Sequence, residues 1–129
     1  MRLLLLLALL VWSTPAAAEQ PIAIALDNTG EAPLRCQYLL AHWMSRDALR
    51  LDPGAAAELP LYRQADGALF LRQPGEPRPL FVEALLCGDD QAFGETARQL
   101  DLSALRRAQA DRLALRCDAA DPTICRLAP

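Results

Sequence analysis

Four cysteines, Cys36, Cys87, Cys117 and Cys125, constrain this chain more than any other feature. What they can do depends on the compartment, and the N-terminus points to one. Met1-Arg2 is followed by an unbroken apolar run from Leu3 to Trp12, then by Ser13-Thr14-Pro15 and by Ala16-Ala17-Ala18 before Glu19. One positive charge, an apolar run and an A-x-A site make a secretory signal, and the run is well short of the ~20 residues that span a bilayer. The first cysteine lies far beyond the cleavage site, which argues against a lipoprotein. Cleavage after Ala18 leaves 111 residues, enough for one domain with one core, and retains all four cysteines. An even count in a small exported domain reads as two disulfides, with three possible connectivities. The expected pairing is Cys36–Cys87 and Cys117–Cys125. Chain entropy makes the longer loop worth about 4 kcal/mol and the shorter about 2.6, against a typical net stability of about 5–15 kcal/mol.

Charge removes further classes. From Glu19 onward there are 12 basic and 16 acidic residues, a balance of −4, and every basic residue is arginine. The densest basic group, Arg106-Arg107 with Arg112 and Arg116, is diluted by Asp101 and Asp111. It reads as solvated surface rather than a nucleic-acid or lipid patch. No membrane span is expected after signal cleavage.

Short apolar runs alternate with turn signals along the rest of the chain. Ile22 to Leu26 reads as a strand closed by Asp27-Asn28-Thr29-Gly30. Leu34 to Trp43 reads as a strand or a helix; its period does not decide, and its strand-like neighbours favour a strand. As a strand it would carry Cys36, Tyr38, Leu40 and His42 on one face. Asp66-Gly67 between apolar runs marks a hairpin, and Gln73-Pro74-Gly75-Glu76-Pro77 a second turn. Leu80 to Cys87 is apolar on both faces, which predicts a central strand, with Leu80, Val82, Ala84 and Leu86 sharing a face. A short helix near 102–111, started by Ser103, and a closing hairpin over 112–127 complete the reading. Strands at this spacing predict a single all-β domain over 19–129, a sandwich or barrel.

Pro33-Leu34-Arg35-Cys36, Ala41-His42-Trp43, Pro53-Gly54, Val82-Glu83 and Cys87-Gly88 together resemble uncharacterised small exported proteins of proteobacteria. The resemblance covers roughly residues 22 to 90. It implies an immunoglobulin-like β-sandwich and an exported location, and it brings no activity with it.

Catalytic patterns are thin. His42 is the only histidine, and Ser45 and Ser103, the only serines after the signal segment, sit in no nucleophile motif. Paired cysteines offer no thiolate. Cys36, His42 and Met44 on one strand face would suit reduced copper, but disulfide formation competes for Cys36. Asp89-Asp90 reads as a solvated turn. Glu83, an acid inside an apolar strand, must find a partner or face water, and a structural ion pair with an arginine such as Arg35 or Arg72 is the expected outcome. There is no phosphate loop, dinucleotide fingerprint or calcium loop. The expectation is therefore a non-enzymatic exported accessory protein, without cofactor, that binds a protein or cell-envelope component. Its candidate surface is the loop set 27–33, Asp66-Gly67 and 73–79, with Asp66, Gly67, Glu76 and Arg78 as binding residues. Two alternatives are a secreted inhibitor of a hydrolase such as lysozyme, and a soft-metal carrier using His42 and Met44.

Overall fold

In the computed structural model, which describes residues 19–129, strict two-residue alternation builds the sheet. Strand β1 (Gln20–Asn28) turns Ile22, Ile24, Leu26 and Asn28 inward, and β2 (Leu34–Leu40) buries Leu34, Cys36, Tyr38 and Leu40. The others are β3 (Met44–Leu51), β4 (Ala56–Arg63), β5 (Leu69–Leu71), β6 (Leu80–Asp89), β7 (Arg98–Gln99), β8 (Arg112–Cys117) and β9 (Cys125–Leu127). They form one sheet in the order β3-β2-β6-β5-β4-β1-β8-β9, with β7 on β6. Pairings are antiparallel except β1 with β8. One core cluster takes side chains from both halves of this path, so the two halves pack over a single apolar interior. The fold is all-β and disulfide-stapled, as expected. Cys36–Cys87 ties β2 to β6 and Cys117–Cys125 ties β8 to β9, each between register partners.

Three expectations are corrected. The strand from Leu34 stops at Leu40, and residues 41–43 form a 3₁₀ turn that reverses the chain into β3. His42 and Met44 therefore do not share a face with Cys36. In β6, Leu39 of β2 pairs with Ala84 and Leu40 with Val82, leaving Glu83 as an extra residue in a β-bulge. Past the bulge the phase flips: Leu85 is buried and Leu86 is not, against the unbroken alternation expected. The strand is nevertheless central, flanked by β2 on one side and by β5 and β7 on the other. The helix near 102–111 contracts to one turn, α2 (Ser103–Arg106), after a first short helix, α1 (Phe93–Thr96).

Two buried polar side chains fix the ends of the sheet. Asn28, fully buried, donates from Nδ2 to the carbonyls of Ala32 and Leu51 and accepts from the Gly30 amide. At the opposite end Arg63 donates to the Leu105 and Ala110 carbonyls and pairs with Asp111 at 2.7 Å, holding the α2 segment on the sheet. Both satisfy backbone groups that would otherwise cost about 1–3 kcal/mol each if left buried and unpaired.

Tyr38 lies in the core, and burial pushes its phenol up to about 12. A folded-state value above the unfolded one, about 10, leaves this group's contribution intact below pH 10 and loses it as pH rises towards 12. Denaturant titrations should show stability falling in that window, by up to about 1.4 kcal/mol per pH unit from this group. In Tyr38→Phe that part of the alkaline loss should vanish.

Candidate functional site

The loops expected to form one binding surface are split between the two ends of the antiparallel β1–β4 pair. Asp27 pairs with Ala56 at one end and Gln20 with Arg63 at the other, a separation of roughly 23 Å at strand rise. Residues 27–33 meet the β3–β4 and β8–β9 turns, where Thr29 bonds the Cys117 carbonyl and Gly54 the Asn28 carbonyl. Asp66-Gly67 lies at the far end. Gly67 has φ +91°, and a Cβ there would stand 2.5 Å from the Arg106 carbonyl oxygen. That turn is committed to packing on α2, and Asp66 spends one carboxylate oxygen on the Ala68 amide. Glu76 and Arg78 are exposed on the 73–79 loop and have no ion-pair partner among the described residues.

Two consecutive non-glycine residues at positive φ lie where sequence pattern gave no turn signal. His42 and Trp43 turn the β2–β3 hairpin with φ of +66° and +63°, the left-handed conformation that hairpin turns normally assign to Asn or Gly. A tryptophan held there costs on the order of 1 kcal/mol or more. Pairing of β2 with β3 imposes the reversal: Leu40 is partner to Met44, which leaves only three residues to bridge the strands. At the tip Trp43 is 91% exposed and Met44 57%. Leu127 is the only other exposed large apolar residue among those described.

Beneath the tip, Leu39, Leu40, His42, Trp43 and Glu83 line a depression of about 290 Å³. Glu83 also lines its neighbour, about 270 Å³, with Gln99, Asp101, Ser103 and Arg106. Its orientation is held from behind. Arg106 donates to the Val82 and Glu83 carbonyls at 3.2 and 2.9 Å, clamping the bulge while the Glu83 side chain faces solvent. The partners expected for Glu83 are engaged elsewhere, Arg35 with Asp47 and Arg72 with Glu19. The ion pair expected for Glu83 does not form: the bulge rotates the carboxylate out of the core, and it faces water. Asp101 accepts from the Ser103 amide, and bonds from Ser103 hold its carboxyl below the usual range.

A larger depression of about 440 Å³ lies over the outer faces of β4, β1 and β8. Its floor includes Ala25, Ala57 and Ala114, and its rim carries the Glu58–Arg112 ion pair together with Asp27 and Arg116.

Metal ligation loses its third ligand, since Cys36 is fully buried in a disulfide while His42 and Met44 stand on the hairpin. No group of three or more His, Cys, Asp or Glu side chains with metal-binding geometry occurs among the described residues. Ser45 is on the exposed edge strand β3, with no hydrogen bond to His42.

Sequence reasoning singled out His42 and Glu83 separately but missed that both line one depression with Trp43, to which it assigned no binding role. The missed signal is the conjunction of His-Trp at a strand end with an acidic residue in an apolar strand. The expected signal segment, residues 1–18, lies outside the described residues, none of whose helices is long and apolar enough to cross a membrane. Two disulfides and no free cysteine are consistent with an oxidising, extracytoplasmic compartment. Comparison with protein-family models, with curated proteins and with solved structures finds no match for this chain.

Proposed function

We propose that this is an exported accessory protein, periplasmic or secreted, that binds a component of the cell envelope through the β2–β3 hairpin tip and the groove beneath it. The observation that carries this reading is Trp43, 91% exposed on a backbone turn unfavourable to it. Strain and exposed aromatic surface both oppose stability and solubility, and such features concentrate where they serve binding. The Glu83 bulge opens onto the same groove, and bulges commonly re-aim a side chain next to a functional site. The signal-like N-terminus and the two disulfides support export. An immunoglobulin-like sandwich is part of this proposal; the division into β3-β2-β6-β7 and β5-β4-β1-β8-β9 around one core supports it.

Crosslinking of the exported protein in envelope extracts tests the assignment. Wild type should yield a discrete adduct that Trp43→Asp abolishes while far-UV circular dichroism is unchanged and the melting temperature does not fall. An adduct indifferent to Trp43, Met44 and Glu83 substitutions would sink it. The projecting tip also suits a hydrolase inhibitor, in which Trp43 enters an enzyme cleft. That second reading requires tight, Trp43-dependent inhibition of a lysozyme-type enzyme.

A further inference from the structure

We infer that the paired depressions on either side of Glu83 form a glycan-binding groove for chains of N-acetylated hexosamine. This deepens the proposed function and rests on it. The groove offers two chemistries side by side. At one end stand the free indole face of Trp43 and the apolar floor of Leu39 and Leu40; at the other stand Gln99, Asp101, Ser103 and Arg106. A pyranose ring has the matching duality, an apolar C–H face that stacks on an aromatic ring and an equatorial fringe of hydroxyls. Planar carboxylate, amide and guanidinium groups can bond adjacent hydroxyls in pairs.

Charge decides against an ionic ligand. Glu83 and Asp101 face Arg106 in the lining, an excess of a single negative charge, so the groove carries hydrogen-bonding capacity with only a weak field. A nucleotide, phosphate or strongly basic peptide would meet little complementary charge. The apolar floor adjoining the Trp43 face gives an acetamido methyl a place, and Gln99 or Ser103 can bond an acetamido group of a following ring. Glu83, unpaired and facing solvent between the two depressions, is placed to accept from hydroxyls of both rings. Arg106 acts as a positioning residue, through its two bonds to the bulge carbonyls.

From Glu19 onward Trp43 is the only tryptophan, so its emission reports on the groove directly. The exported protein, cleaved after Ala18, is titrated with chitotetraose, and with cellotetraose as the control lacking acetamido groups. We expect a saturable blue shift with chitotetraose and a weaker response to cellotetraose. Glu83→Gln and Asp101→Asn should each weaken binding about tenfold, the effect of losing one charge-assisted hydrogen bond, with melting unchanged. Trp43→Phe, followed by calorimetry, should retain partial binding and Trp43→Ala none. Absence of a saturable response to chitotetraose, equal affinity for cellotetraose, or indifference to both carboxylate variants overturns the glycan assignment. If chitotetraose is silent but the Trp43-dependent crosslink forms, the binding surface stands and the ligand class falls. If neither appears, both fall.

Discussion

Replacing Cys36 and Cys87 together by alanine should lower the unfolding free energy by about 4 kcal/mol, the chain-entropy value of a loop this long, and leave the domain largely unfolded near 37 °C. The bond spans 51 residues and joins register partners on β2 and β6, central to the sheet. Both half-cystines are fully buried, so the substitution also removes sulfur from packed positions and adds a cavity cost. Replacing Cys117 and Cys125 should cost about 2.6 kcal/mol, because that loop spans only 8 residues. The two double variants, compared by urea titration, should differ in midpoint in that order. The longer-loop variant should also expose the Glu83 bulge, since β2 and β6 would no longer be tied across their shared register. A smaller loss for Cys36/Cys87 than for Cys117/Cys125 would show that the β2–β6 ladder is held by packing alone.

The parts of this fold legible in sequence are those written in local chemistry. Asp66-Gly67 announces its turn because Gly67 must adopt φ +91°, and strand β8 begins and ends at the residues its alternation marks, Arg112 and Cys117. The Cys117–Cys125 pairing is local as well, since 8 residues and one turn separate the two, whereas Cys36–Cys87 joins strands 51 residues apart whose pairing the sequence does not display. What stayed hidden is non-local. Nothing near Ile22–Leu26 tells that β8 will lie parallel to it, since that contact spans most of the chain. In β6 an apolar residue on either face masks the phase change at Glu83, so alternation reads as unbroken where a bulge resets it. The hairpin at His42–Trp43 was illegible for a related reason. Its residues oppose the turn they make, and strand pairing on both sides overrides local preference. The candidate site consists of these two illegible features, so conventional turn and strand signals passed it by.

The same conflict yields the second large effect. Substituting His42→Asn and Trp43→Gly gives the hairpin the sequence its backbone conformation favours. The double variant should melt higher than wild type, gaining on the order of 1 kcal/mol from relief of two positive-φ side-chain positions. Its cost falls on function: loss of a central aromatic anchor is commonly worth 2 kcal/mol or more, about a thirtyfold loss of affinity. Stability and binding should therefore move in opposite directions, which distinguishes a strained recognition element from a turn that is merely tolerated. The single variant His42→Asn isolates the backbone contribution, because it keeps Trp43 and supplies the residue most at ease in the left-handed region after glycine. It should gain part of the stability and retain binding. If the double variant is less stable than wild type, Trp43 is contributing to packing despite its exposure, and the hairpin is structural; if it is more stable and binds as before, recognition lies elsewhere on the molecule.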